Sequence, residues 1–196
     1  SDDSLTVVKK ILKDANYDPK IYNPKAIRNK ISSCKNEMMT PDIYDKYAVS
    51  DYEKVIKEVY EKYERKLHMN NSVDFDDLLL LPIQLFKKNP DVLDKYQELY
   101  QYILIDEYQD TNEAQYILTK LLSAKNRKIT CVGDDSQSIY SFRGANYKNI
   151  LNFEKDYKDA KTILLEQNYR STSNILDAAN QVIKNNKMRK DKNLWT

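Results

Sequence analysis

The sequence predicts an α/β fold in which a helical first half gives way to alternating strands and helices. Two observations carry that reading. Up to about residue 98 the apolar positions recur with the 3.6-residue period of amphipathic helices, and beyond it they gather into short continuous runs. Those runs, Tyr102-Ile-Leu-Ile105, Lys128-Ile-Thr-Cys-Val132 and Thr162-Ile-Leu-Leu165, are β-rich and of the length of buried parallel strands. Helical patterns separate them, which implies a sheet covered on both faces.

Each element has its own signal. Ser4 is placed to cap a first helix whose Leu5, Val8, Ile11, Leu12 and Ala15 share one face. From about Asp51 to Leu67 a second amphipathic stretch aligns Tyr52, Val55, Ile56, Val59, Tyr60 and Tyr63, with Glu and Lys alternating on the solvent side. In Val73-Asp-Phe-Asp-Asp-Leu78 the acids fall where a helix N-terminus favours negative charge, and Pro82 is expected to kink that helix or bound it. Asn89-Pro90 opens a further short helix with proline at its first position. Asn112 and Gln115 read as a capping box for a helix to Leu122, and two more helices are expected over roughly Tyr147 to Tyr157 and Ser173 to Lys184.

Composition narrows the function. Only two of 196 residues are glycine, against roughly fourteen at the average usage of about 7%. Neither a Gly-x-x-x-x-Gly-Lys-[Ser/Thr] phosphate loop nor a Gly-x-Gly-x-x-Gly turn is present. A net charge of +2 announces no polyanion partner by itself. Cys34 and Cys131 make no metal-binding spacing, and Cys131 in Lys-Ile-Thr-Cys-Val reads as a small strand residue rather than a reactive thiol. The lone His68 excludes a histidine-based metal site and falls at a helix end. No apolar run approaches the ~20 residues that span a bilayer, so a cytoplasmic location and no membrane partner are expected.

Three segments carry chemistry. The first, Ile103-Leu-Ile-Asp-Glu-Tyr-Gln-Asp110, is a strand ending in two carboxylates, at the sheet edge where α/β proteins bind ligands. There Asp106 can hold the water shell of a magnesium ion while Glu107 orients and deprotonates water, although Asp-Glu pairs also cap helices. The second, Val132-Gly-Asp-Asp-Ser-Gln-Ser-Ile-Tyr-Ser-Phe-Arg-Gly-Ala145, brackets its loop with both glycines, Gly133 and Gly144. Tyr140, Phe142 and Arg143 form either a stacking platform for single-stranded bases or part of the core. The third, Leu165-Glu-Gln-Asn-Tyr-Arg-Ser-Thr172, puts Tyr169 and Arg170 at a strand end, where the guanidinium meets a phosphate or pairs with Glu107 or Asp110.

Together, residues 106–110, 133–145 and 167–171 resemble motifs II, III and IV of superfamily 1 DNA helicases of the UvrD/Rep/PcrA family. The likeness extends through Cys34-Lys-Asn-Glu37 and Asp74-Phe-Asp-Asp-Leu78, and so covers essentially the whole chain. It implies an all-helical, 1B-like subdomain over 1–98, then the C-terminal part of a RecA-like parallel-sheet P-loop NTPase domain (1A-like) over 99–196. It implies an enzyme that couples ATP hydrolysis to 3′-to-5′ translocation on single-stranded DNA and to unwinding of duplex DNA in repair and replication. By this resemblance Asp106 coordinates Mg2+, Glu107 activates the hydrolytic water, Gln137 senses the γ-phosphate, Arg170 contacts it, and Tyr169 stacks on adenine. Tyr140, Phe142, Arg143 and Phe75 are then DNA contacts, and repair or replication-initiator proteins are the expected partners.

The sequence departs from the family pattern in two ways. Phe142 stands where Trp is usual, and Ser141 where a basic residue is frequent. The family's phosphate loop is missing too, so the chain reads as an internal piece that is not expected to turn over ATP alone. The alternative is a stand-alone DNA- or partner-binding module with a vestigial ATP site, and a nuclease-linked relative would share the same motifs. Flanking coding sequence separates these readings.

Overall fold

The computed structural model describes residues 2–137, 144–146, 148–185 and 192–196. It is α/β and mostly helical. The elements are α1 (Asp2–Asp14), α2 (Pro24–Asn36), α3 (Pro41–Asp45), α4 (Asp51–Met69), α5 (Asp77–Lys88), α6 (Pro90–Leu99), β1 (Ile103–Ile105), α7 (Glu113–Ser123), β2 (Ile129–Cys131), α8 (Lys148–Asp156) and α9 (Ser173–Ile183). Strands β1 and β2 pair as a two-stranded parallel sheet. The chain forms two compact units, Ser1–Ile103 with Asn112–Ile129, and Leu104–Thr111 with Thr130–Thr196, the division falling within both strands.

In the first unit the core takes its α1 and α4 residues from the predicted stripes and adds α2, for which the sequence reading assigns no helix. Val8, Ile11 and Leu12 of α1 pack with Ile27, Ile31 and Cys34 of α2 and with Val55, Ile56, Val59, Tyr60 and Tyr63 of α4. Full burial of each such aliphatic side chain contributes about 1.5–3 kcal/mol. Helix α4 starts at a complete capping box: Glu53 N donates to Ser50 Oγ at 3.3 Å, and Ser50 N donates to Glu53 Oε2 at 2.9 Å. His68 lies exposed in its last turn. Helix α7 carries the expected box, with Gln115 N donating to Asn112 Oδ1 at 2.9 Å and Asn112 N to Gln115 Oε1 at 3.0 Å.

Several elements differ from expectation. Helices α2 and α3 are not among the elements assigned from the sequence; each starts with proline in its first turn, with Asn23 and Thr40 as caps, and Ile27, Ile31 and Cys34 form the buried face of α2. Of the two roles expected of Pro82, bounding the helix is ruled out, since the proline lies inside α5, which continues to Lys88. Thr162–Leu165, predicted as a third strand, is not one: Ile163 and Leu165 are 77% and 76% exposed and no strand pairs with them among the described residues. A short apolar run without a neighbouring strand has no ladder to join. Just beyond it, Gln167 and Trp195 form an isolated parallel bridge.

In the second unit a 3-10 turn, Tyr108–Asp110, follows β1 and is gripped by α8. Tyr108 meets Phe153 edge-on at 5.7 Å between ring centroids, and Asn149 Nδ2 donates to Thr111 O at 3.1 Å. These contacts hold the segment that follows the acids. Cys131 sits in β2, and burial pushes its thiol up to about 12, which leaves it unreactive at neutral pH.

Candidate active site

Strand β1 delivers two carboxylates at its C-terminal end. Asp106 and Glu107 are both exposed. Asp106 Oδ1 accepts a hydrogen bond from Glu107 N at 2.9 Å, and Glu107 adopts left-handed backbone angles, φ 50° and ψ 42°. A non-glycine residue held in that region costs about 1–3 kcal/mol and persists only where its surroundings impose it. Here the imposing contacts are backbone ones. Val132 N donates to Ile105 O at 2.8 Å and Tyr108 N donates to Val132 O at 3.0 Å, so the chain must reverse between residues 105 and 108.

Gln109, which the sequence did not single out, joins this acid pair to the loop after β2. It is 1% exposed. Its Nε2 donates to Glu107 Oε2 at 2.7 Å, and its Oε1 accepts from Asp134 N at 3.0 Å. Asp134 in turn organises its own loop: Oδ1 accepts from Ser136 N at 2.9 Å and Oδ2 from Gln137 Nε2 at 2.7 Å. Lys192 pairs with Asp134 and lies 3.6 Å from Asp135. Burial alone would raise the Asp134 carboxyl, but Lys192, Gln137 and the Ser136 amide hold it below its usual value. Glu107 and Gln137 are thus the ends of one hydrogen-bonded chain.

Tyr169 and Arg170 stand on a separate turn of the same unit. Asn168 Oδ1 accepts from Arg170 N and from Ser171 N, each at 2.8 Å, and Tyr169, 86% exposed, donates its hydroxyl to Gln167 Oε1 at 2.8 Å. Arg170 is exposed, and among the described residues it pairs with neither Glu107 nor Asp110. Tyr140, Phe142 and Arg143 lie outside the described residues.

Phe75 belongs to the other unit and is 75% exposed. Its neighbours explain why. Lys35 is fully buried, and its Nζ donates to Asp77 Oδ1 at 2.7 Å and to Asp74 Oδ2 at 2.8 Å, with Glu64 Oε1 also at 2.8 Å. Asp76 Oδ1 accepts from Asn36 Nδ2 at 2.9 Å. Three acids of the segment are therefore tied to α2, which leaves the phenylalanine ring pointing outward. The acidic cluster that sequence reasoning assigned to the helix N-terminus does serve there, since Asp77 N donates to Asp74 Oδ1 at 2.9 Å. Its main work is neutralising a buried lysine.

The donor set suits magnesium held with a nucleotide. Asp106 Oδ2 accepts no hydrogen bond among the described residues, and Mg2+ is commonly bound through one or two carboxylates, waters and phosphates. No group of three or more His, Cys, Asp or Glu among the described residues could cage a metal unaided.

The UvrD/REP helicase N-terminal domain family matches residues 1–158, and the UvrD-like helicase C-terminal domain family matches residues 163–196. The chain belongs to the UvrD/REP helicase family. It is 55% identical over 194 residues to the ATP-dependent DNA helicase PcrA of Bacillus subtilis (strain 168), covering 99% of this chain and 26% of that protein. Against PcrA of Leuconostoc citreum the identity is 51%, over 97% of this chain and 26% of that protein. Against PcrA of Staphylococcus aureus (strain Mu50 / ATCC 700699) it is 52%, over 99% of this chain and 27% of that protein. The chain spans about a quarter of the length of these relatives, at 26–27%. Among the described residues no helix is long and apolar enough to cross a membrane.

Proposed function

We propose that these residues are part of an ATP-dependent DNA helicase that moves along single-stranded DNA with 3′-to-5′ polarity and unwinds duplex in repair and replication. In this reading residues 1–98 are the inserted helical subdomain and residue 99 begins the later part of the first motor domain, with the UvrD-like C-terminal domain match taking over at residue 163. The observation that carries it is the hydrogen-bonded chain from Glu107 through Gln109 and Asp134 to Gln137, because hydrolysis and γ-phosphate sensing need those two side chains in fixed relation.

The chemistry follows from the positions. Asp106 would hold Mg2+, which when bound would supply positive charge to the phosphates of ATP. Glu107, exposed at the end of β1, orients and deprotonates the attacking water. Gln137 hydrogen-bonds towards the γ-phosphate, and its loss on product release is transmitted through the loop that continues to Tyr140, Phe142 and Arg143 at the DNA. The free guanidinium of Arg170 meets developing negative charge, and the exposed ring of Tyr169 stacks on adenine. Phe75 offers a second base-stacking surface. The 196 residues alone lack a phosphate-binding loop, so they are expected not to turn over ATP.

The reading is tested on the full-length protein that carries this segment. DNA-stimulated ATP hydrolysis and unwinding of a duplex with a 3′ single-stranded tail support it. Single-strand binding without hydrolysis supports a stand-alone binding module instead.

A further inference from the structure

We propose that Gln109 is a positioning residue: it fixes the Glu107 carboxylate and couples it to the Gln137 loop, so that the two move as one piece. This rests on the ATP-hydrolysis reading above.

The chemistry of the amide makes the assignment specific. Only its NH2 end can donate to a carboxylate and only its oxygen can accept a backbone N–H, so the contacts to Glu107 Oε2 (2.7 Å) and Asp134 N (3.0 Å) fix one orientation of the side chain. Both ends are used, and the residue is 1% exposed. Glu107 is the opposite case. Its side chain is solvent-exposed, with rotatable bonds that would otherwise sample several rotamers at a cost of about 1–2 kcal/mol to order. Among the described residues Gln109 is the side chain that restrains the Glu107 carboxylate, and it engages one oxygen and leaves Oε1 open to water.

The chain after β2 passes close to this amide. A Cβ on Gly133 would lie 2.6 Å from Gln109 Oε1 and 2.9 Å from Ile150 Cδ1, so a larger residue there would push the amide away from Asp134 N. From Asp134 the link continues through its carboxylate to Gln137 Nε2 at 2.7 Å. Loss of the Asp134–Gln109 contact would leave the amide, and with it the Glu107 carboxylate, held at one end only.

The experiment uses the full-length protein and single-turnover ATP hydrolysis, which resolves slow residual rates, with ATP affinity and thermal midpoint measured alongside. Gln109→Met keeps the volume and removes both hydrogen bonds. It should lower the hydrolysis rate about 100-fold with ATP affinity unchanged. Gln109→Glu keeps the acceptor for Asp134 N but sets a carboxylate against Glu107, and should give the same rate loss if the methionine variant does not fold. In a Glu107→Gln background, Gln109→Met should cause no further loss, because its effect passes through Glu107. An undiminished rate in Gln109→Met, or an equal loss in both backgrounds, overturns the inference while leaving the hydrolysis reading intact. Full turnover in Glu107→Gln alone overturns the hydrolysis reading itself.

Discussion

Lys35 Nζ donates to Asp77 Oδ1 at 2.7 Å in a position with no solvent exposure, joining α2 to the start of α5. With Asp74 and Glu64 it forms one cation among three acids, and Tyr63 adds its hydroxyl to Asp74 at 3.0 Å. Burial alone would lower the Lys35 pKa, but the surrounding carboxylates push it up to about 12. Removing the lysine leaves buried carboxylates unpaired. Lys35→Met should destabilise the protein by about 3–5 kcal/mol, read as a shift in the denaturant midpoint. A change under about 1 kcal/mol would mean the cluster is solvated in solution.

The same cluster sets a pH dependence. Lys35 has its folded pKa above the unfolded value, so its contribution is complete below about 10.4 and is lost as pH rises towards 12. Asp74 is opposite: burial raises its pKa, Lys35 and Tyr63 more than reverse that, and the net direction is down. Its contribution is present above the unfolded value of about 3.9 and is lost as pH falls below it. Stability should therefore hold between these limits and fall at both ends. In Lys35→Met the alkaline fall should shrink but not vanish, because burial also holds the Tyr60 and Tyr63 hydroxyls well above their usual value.

Gly133→Ala should cost about 1–3 kcal/mol by forcing apart the Gln109 amide and the chain just after β2. The clash is with a side-chain oxygen at 2.6 Å rather than with backbone, so the amide moves first. Hydrolysis by the full-length protein should fall more than stability does. Equal and small effects on both would show that the contact is loose.

Much of this was legible in the residues, and the limits are physical. The capping box at Asn112 and Gln115, the α4 stripe and the acid pair at the end of β1 are local, and short-range patterns encode them. Lys35 and Asp77 lie 42 positions apart, and Gln109 and Asp134 25 apart, so no periodicity reports their meeting. A buried lysine also looks like any surface lysine in a chain with 32 basic residues. Thr162–Leu165 misled because β-rich composition signals a strand only where a neighbour is available to pair with it.

Asn112→Ala should weaken the start of α7 by about 1 kcal/mol, from the lost cap. It also removes the Asn112 Nδ2 bond to Asn36 Oδ1 at 2.5 Å, so the measured loss should exceed that of Gln115→Ala. Equal losses in the two variants would assign the whole effect to the cap.

Phe75→Ala should leave the thermal midpoint nearly unchanged, since the ring is 75% exposed. In the full-length protein it should weaken single-strand binding by about 1–3 kcal/mol, as should Phe142→Ala. Unchanged affinity at several salt concentrations would remove either residue from the DNA path.

The most direct test of the central claim is DNA-stimulated ATP hydrolysis by the full-length protein, compared with its Glu107→Gln variant. The assignment of Glu107 as the base predicts that the variant still binds ATP and single-stranded DNA while turnover falls by at least about 100-fold. Turnover that persists undiminished in Glu107→Gln would contradict it.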